Sequence, residues 1–321
     1  MLTRNALGNL INRYKAVLGK CRLLNVFGSL AVAGMLVAGG AGIAAATEID
    51  ISADTNVSDV TQPDLKNDGA QFSADKTLTI NEDATAAHVT TASDNTGSIV
   101  LNTSYTLTVT GDIGATGAAI KAITGEGSLN TGGNVTTNSL TLLGASNSII
   151  NGTLTLTDGV SSVKNLIKVG GLVNESASTL TIAAGDLVLS DSASFTNAGT
   201  LNVGVTGAKA TLDLRGAANV TNAGTITVDG RSGSAPVPSD NLATLVITSS
   251  QLDALHAGSG QLNVGGGDGG FVAFYDETVT LNTGDLADTA TGGKIALLAD
   301  SILGTHNLVL NGTTLKIAES A

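Results

Sequence analysis

The chain has 321 residues and a formal net charge of −12, with 13% charged and 2% aromatic residues, no Trp, 41 Gly and one Cys. Charge this sparse and acidic argues against nucleic acid as a partner, because phosphate recognition requires clustered Lys and Arg. A 42% hydrophobic content, much of it Leu, Val and Ile in short alternating runs, argues against a disordered chain. What remains is a narrow, regular β-structure with small core residues.

Residues 1–46 carry Arg4, Arg13, Lys15, Lys20 and Arg22 and no acid. Removing those five from 15 leaves ten basic against 27 acidic residues, a net charge of −17 beyond Ala46. A net charge this far from zero favours solubility. An uncharged run, Val26–Ile43, follows the basic leader and ends in Ala44-Ala45-Ala46. Basic head, apolar middle and small-residue exit predict a helical secretory signal segment, cut after Ala46 by a signal peptidase that recognises Ala44 and Ala46. The sole cysteine, Cys21, falls inside it, so the body has no thiol, disulfide or Cys-ligated metal.

Residues 47–74 are acidic and hold Pro63; they are expected to form an irregular cap or linker. Strand phrases then begin at Lys76-Thr77-Leu78-Thr79-Ile80. They recur at Tyr105–Val109, Ser139–Leu142, Thr153–Leu156, Thr179–Ile182, Leu242–Ile247, Thr278–Leu281 and Thr314–Ile317. Most alternate with period two, and Gly, Asn or Asp separates them. Between these phrases stand 29 residues from Leu78 to Leu107, 26 from Leu154 to Leu180 and 21 from Leu180 to Leu201.

One phrase is written twice. Phe195-Thr196-Asn197-Ala198-Gly199-Thr200-Leu201-Asn202-Val203 returns 25 positions later as Val220-Thr221-Asn222-Ala223-Gly224-Thr225-Ile226-Thr227-Val228. Asn-Ala-Gly reads as a tight corner in which Asn and Gly adopt left-handed backbone, and Thr-Leu-x-Val as the strand after it. A unit this short buries its apolar face only against copies of itself. The predicted fold is therefore an all-β, right-handed parallel β-helix over residues 75–321. At about 20 to 25 residues per coil it would have on the order of a dozen coils and, at about 4.8 Å each, a length of roughly 60 Å. A sandwich of antiparallel strands is the competing topology, but scarce Pro and like-positioned corners favour continuous parallel ladders. Gly230–Asp240, with Pro236 and Pro238, reads as a loop projecting from one corner.

No catalytic, cofactor-binding or metal site emerges. Gly265–Gly270 resembles a calcium-binding nonapeptide only once, whereas such motifs work by repetition. His88, His256 and His306 lack metal-type spacing. There is no Gly-x-Ser-x-Gly elbow. Asp213 and Arg215 alternate onto one face and read as an exposed ion pair. Asn134, Asn151, Asn219 and Asn311 match the glycosylation acceptor pattern, which chance supplies in a chain rich in Asn and Thr.

The extended leader, Asn12–Arg22 ahead of the apolar run, resembles the signal peptides of autotransporters, the type V secreted proteins of Gram-negative bacteria. Turns such as Asn197-Ala198-Gly199-Thr200 are similar to those of their β-solenoid passengers. The resemblance implies export to the cell surface or outside, and contact with export machinery. It also implies adhesion to host or neighbouring-cell glycans or proteins, or self-association, without a cofactor. The chain departs from the family plan in lacking amphipathic barrel strands and a terminal aromatic residue, as a truncated passenger would. A polysaccharide-cleaving β-helix and a structural surface-layer component are the alternative functions.

Overall fold

A computed structural model describes residues 48–311 apart from 61, 205–207, 230–242, 257–258, 265–269, 275–277, 283–293 and 298–306. Ala44 and Ala46, the loop 230–240, nearly all of the glycine run 265–270 and His306 lie outside the described residues.

The described residues form a parallel β-solenoid of about eight turns. Among the described residues every pairing between strands is parallel, which replaces the sandwich alternative. Each winding contributes three strands, and equivalent strands stack into three faces. On face 1, Ala70, Val89, Ile113, Val135, Leu154, Leu172, Phe195 and Val220 form one column. On face 2 the column is Leu78, Ile99, Ile123, Leu140, Ser161, Leu180, Leu201, Ile226 and Leu262. On face 3 it includes Ile167, Leu187, Leu212, Leu245 and Val272. Most of these side chains are wholly buried. The core is therefore a narrow prism in which each apolar residue rests on its equivalent one winding away.

The three-sided plan corrects the reading of the phrase spacing. Leu78 and Leu107 lie on different faces, so their separation is not a coil length; Leu78 pairs with Ile99 and Leu107 with Leu129. Among the described residues the windings number about eight. From Leu78 to Leu262 there are eight intervals in 184 residues, an average of 23. The last interval, Ile226 to Leu262, takes 36 residues and contains a helix, Ser249–His256, in place of one strand.

Ladders begin inside 47–74, where Ile49 pairs with Ala70 and Thr55 with Leu78. A short helix there, α1 (Gln62–Asp68), stands where face 3 would have a strand. Leu65 is buried and its carbonyl accepts the Ala87 amide at 3.0 Å. A second helix, α2 (Ser249–His256), occupies the face 1 position after Val220. It starts on a capping box: the Thr248 Oγ1 accepts the Gln251 amide at 3.3 Å, and the Gln251 Oε1 accepts the Thr248 amide at 2.9 Å. The Gln251 Nε2 also donates to the Leu214 and Ala217 carbonyls at 2.7 and 2.8 Å, and Leu252 and Leu255 are fully buried. The solenoid thus accepts a helical rung wherever a helix can satisfy the neighbouring winding.

The twice-written phrase stacks as its spacing requires: Phe195 on Val220, Asn197 on Asn222, and Thr200 on Thr225. Its corner works differently from the reading above. Neither Gly199 nor Gly224 has a positive φ. Glycine stands there because a Cβ on Gly224 would lie 2.0 Å from the Gly199 carbonyl oxygen, and one on Gly199 2.2 Å from that of Ser178. The asparagines close their strands facing inward, wholly or almost wholly buried. The Asn174 Nδ2 donates to the Asn197 Oδ1 at 2.7 Å, and the Asn197 Nδ2 to the Asn222 Oδ1 at 2.9 Å. The Asn222 Nδ2 ends the ladder on the Leu255 carbonyl at 3.1 Å. A buried amide chain of this kind fixes register, because a slipped winding would strand every member.

Candidate interaction surface

Alternation places every second residue of face 2 outward. One outward column runs Thr77, Ser98, Ala122, Ser139, Val160, Thr179, Thr200, Thr225, Gln261. Beside it runs Thr79, Val100, Thr124, Thr141, Ser162, Thr181, Asn202, Thr227, Asn263. Neither column contains a charged residue, in a chain of net charge −12. The result is a strip of small hydroxyl, amide and methyl groups. It is roughly 38 Å long at about 4.8 Å per rung, with about 6.7 Å between columns. Among the described residues Val160 is the most exposed of the large apolar side chains, at 69%.

Part of the missing charge is found at the corners. The Asp54 Oδ1 accepts the Thr77 amide at 3.0 Å, and the Asp83 Oδ1 that of Thr106 at 2.8 Å. The Asp94 Oδ1 takes the Ala119 amide at 2.8 Å, and the Asp112 Oδ1 that of Asn134 at 2.6 Å. These aspartates join one winding to the next where the chain turns and the ladder carbonyls are out of reach. Composition gave no sign of this role; the 23-residue offset of Asp54–Thr77 and Asp83–Thr106 was its only trace. Asp83→Ala is expected to cost about 1 kcal/mol, read as an earlier thermal melt, whereas Asp83→Asn keeps the acceptor and the melting temperature. At the border of face 2 the Lys121 ammonium bonds the Asp75 carboxylate at 2.6 Å, two windings away. That hydrogen bond holds the Asp75 carboxyl below its usual value.

Asp213 and Arg215 do form the ion pair expected of them, with the Arg215 Nε at 2.9 Å from Oδ1 and an Nη at 2.6 Å from Oδ2. The pair is not a fully exposed one: the Asp213 side chain is 9% accessible against 39% for Arg215. Burial beside a fork-shaped donor makes it a structural clamp. It lines an open cleft of about 480 Å³ that also holds Asp191, Val188 and Thr248. With the Asp213 carboxylate spent on Arg215, this pair does not supply the free acid and base that glycan cleavage needs. Arg215→Ala is expected to destabilise by about 2 kcal/mol, since it leaves a buried carboxylate uncompensated; urea unfolding reads it.

His88 contacts the Glu48 carboxylate, and His256 lies in α2. Among the described residues no three His, Cys, Asp or Glu side chains come together as a metal site. Asn134, Asn151 and Asn219 are exposed; the Asn134 Oδ1 accepts the Thr153 amide at 2.9 Å. Among the described residues no helix is long and apolar enough to cross a membrane. No protein-family model, curated protein or solved structure matches the chain.

Proposed function

We propose that the protein is an exported, cell-surface β-solenoid that acts by adhesion or self-association through face 2. The observation that carries this reading is the uncharged strip, two columns wide and nine rungs long. Acidic bodies repel one another wherever their carboxylates approach, and the strip is where a second surface can come close without like-charge cost. Individually weak hydroxyl and amide contacts repeat at constant spacing there, so many act together on a repetitive partner. The basic leader, the apolar run and the Ala44/Ala46 exit support export.

Two measurements test it. Thr200→Glu within the strip is expected to abolish self-association in sedimentation velocity and to lower binding to cell surfaces at least tenfold. Its melting should stay unchanged, as for surface substitutions generally. Unaltered association and cell binding in that variant would refute the role of face 2. Sequencing the exported chain is expected to give Thr47 as its first residue.

A further inference from the structure

A second recognition site lies on face 1, and we infer that it is a binding cleft for a neutral saccharide. The cleft measures about 390 Å³ and spans three windings: Asp112 and Gly114, then Asn134 and Thr136, then Thr153 and Thr155. This falls within the usual small-molecule range of roughly 300–1,000 Å³. Its wall is a two-residue turn in which Ala115 and Ala118 exchange backbone hydrogen bonds at 3.0 and 2.9 Å, presenting Thr116. The wall lies close against the next winding at its base. Gly114 has φ +63, and a Cβ there would lie 2.2 Å from the Thr136 carbonyl oxygen.

The chemistry of the lining selects the ligand. The Asp112 Oδ1 and Asn134 Oδ1 are spent on backbone amides of the next winding. The second Asp112 oxygen, the Asn134 amide group and the hydroxyls of Thr116, Thr153 and Thr155 make no hydrogen bond among the described residues and face solvent or the cleft. Donors and acceptors are thus present together over about 10 Å, two rung spacings. Sugar hydroxyls, each donor and acceptor at once, match such a set. The carboxylate and the absence of Lys or Arg from the lining disfavour phosphate, sulfate and uronic acids. An extended peptide has no free ladder edge here, because the strands are paired above and below. The inference extends the adhesion reading by adding a ligand class and a site separate from face 2.

The test is saturation-transfer NMR on the purified full chain with glucose, galactose, maltose and cellobiose, and with glucuronate and inorganic phosphate as comparisons. At least one neutral sugar is expected to bind, and glucuronate and phosphate at least tenfold more weakly. Thr153→Val/Thr155→Val should weaken binding at least tenfold with the melt preserved. Thr116→Ala, on the turn outside the sheet, should weaken it severalfold if the double variant fails to fold. Thr200→Glu on face 2 should leave sugar binding intact, which separates this site from the adhesion reading. No binding by any neutral sugar, or equal binding by the folded cleft variants, overturns the inference.

Discussion

Gly224→Ala is expected to destabilise the protein by about 3 kcal/mol, near the upper end of overpacking costs, as a lowered urea midpoint. The nearest atoms to the new Cβ are all backbone: the Gly199 carbonyl oxygen at 2.0 Å, the Ala198 carbonyl carbon at 2.6 Å and the Ala198 oxygen at 2.8 Å. No side chain can swing away, so the windings themselves must part. Parting them stretches the ladder bonds on either side, among them Thr225 amide to Gly199 carbonyl at 2.9 Å and Ala223 amide to Asn197 carbonyl at 2.7 Å. The neighbouring Ala223 is exposed, and Ala223→Ser should leave the midpoint within about 0.5 kcal/mol. Equal effects at the two positions would mean that the windings are not in contact at this corner.

Asn197→Ala is expected to cost about 3 kcal/mol, the sum of a small cavity and stranded amide groups. It removes the acceptor of Asn174 and the donor to Asn222 at once, and the Asn174 Oδ1 is already buried without a partner. Asn197→Asp removes only the donor but buries a charge, so it should cost more at neutral pH. Burial without a cation raises that carboxyl's pKa above its unfolded value. Its protonated form is the one that fits, donating an O–H to the Asn222 oxygen. The variant should therefore regain stability as pH falls from about 7 to about 4 and lose it again on return. A pH-independent deficit in Asn197→Asp would show that the ladder does not run through this position.

Much of the fold was legible because a half-buried strand announces itself at period two. Thr77–Ile80, Thr179–Ile182 and Thr225–Val228 all alternate outward Thr with inward Leu, Ile or Val. Assignment to faces was not legible. Three faces draw on the same vocabulary, so Leu78 and Leu107 look equivalent until pairing separates them. The Asn-Ala-Gly-Thr unit was readable as a repeat, but its glycines answer to a neighbour's carbonyl rather than to their own φ. α2 carried a signal in Thr248-Ser249-Ser250-Gln251, whose caps were there to be read. The helix is eight residues long and directly follows a strand, so its pattern is too short to stand apart from the strand phrase before it. The uncharged strip of face 2 and the polar cleft of face 1 were invisible for a common reason. Each is assembled from residues some 20 apart, and only register brings them together.

The account rests on parallel, in-register stacking, and a crosslink reads that register directly. Thr181 and Asn202 are ladder partners on face 2, whereas Thr200 pairs with Thr179. Partners stand about 4.8 Å apart, within the Cα range a disulfide tolerates; a pair offset by two residues lies roughly 8 Å apart, beyond it. In a Cys21→Ser background, which removes the chain's single cysteine, Thr181→Cys/Asn202→Cys should oxidise to an intramolecular disulfide, and Thr181→Cys/Thr200→Cys should not. Crosslinking of the second pair in preference to the first would contradict the stacked-winding architecture and the functional reading built on it.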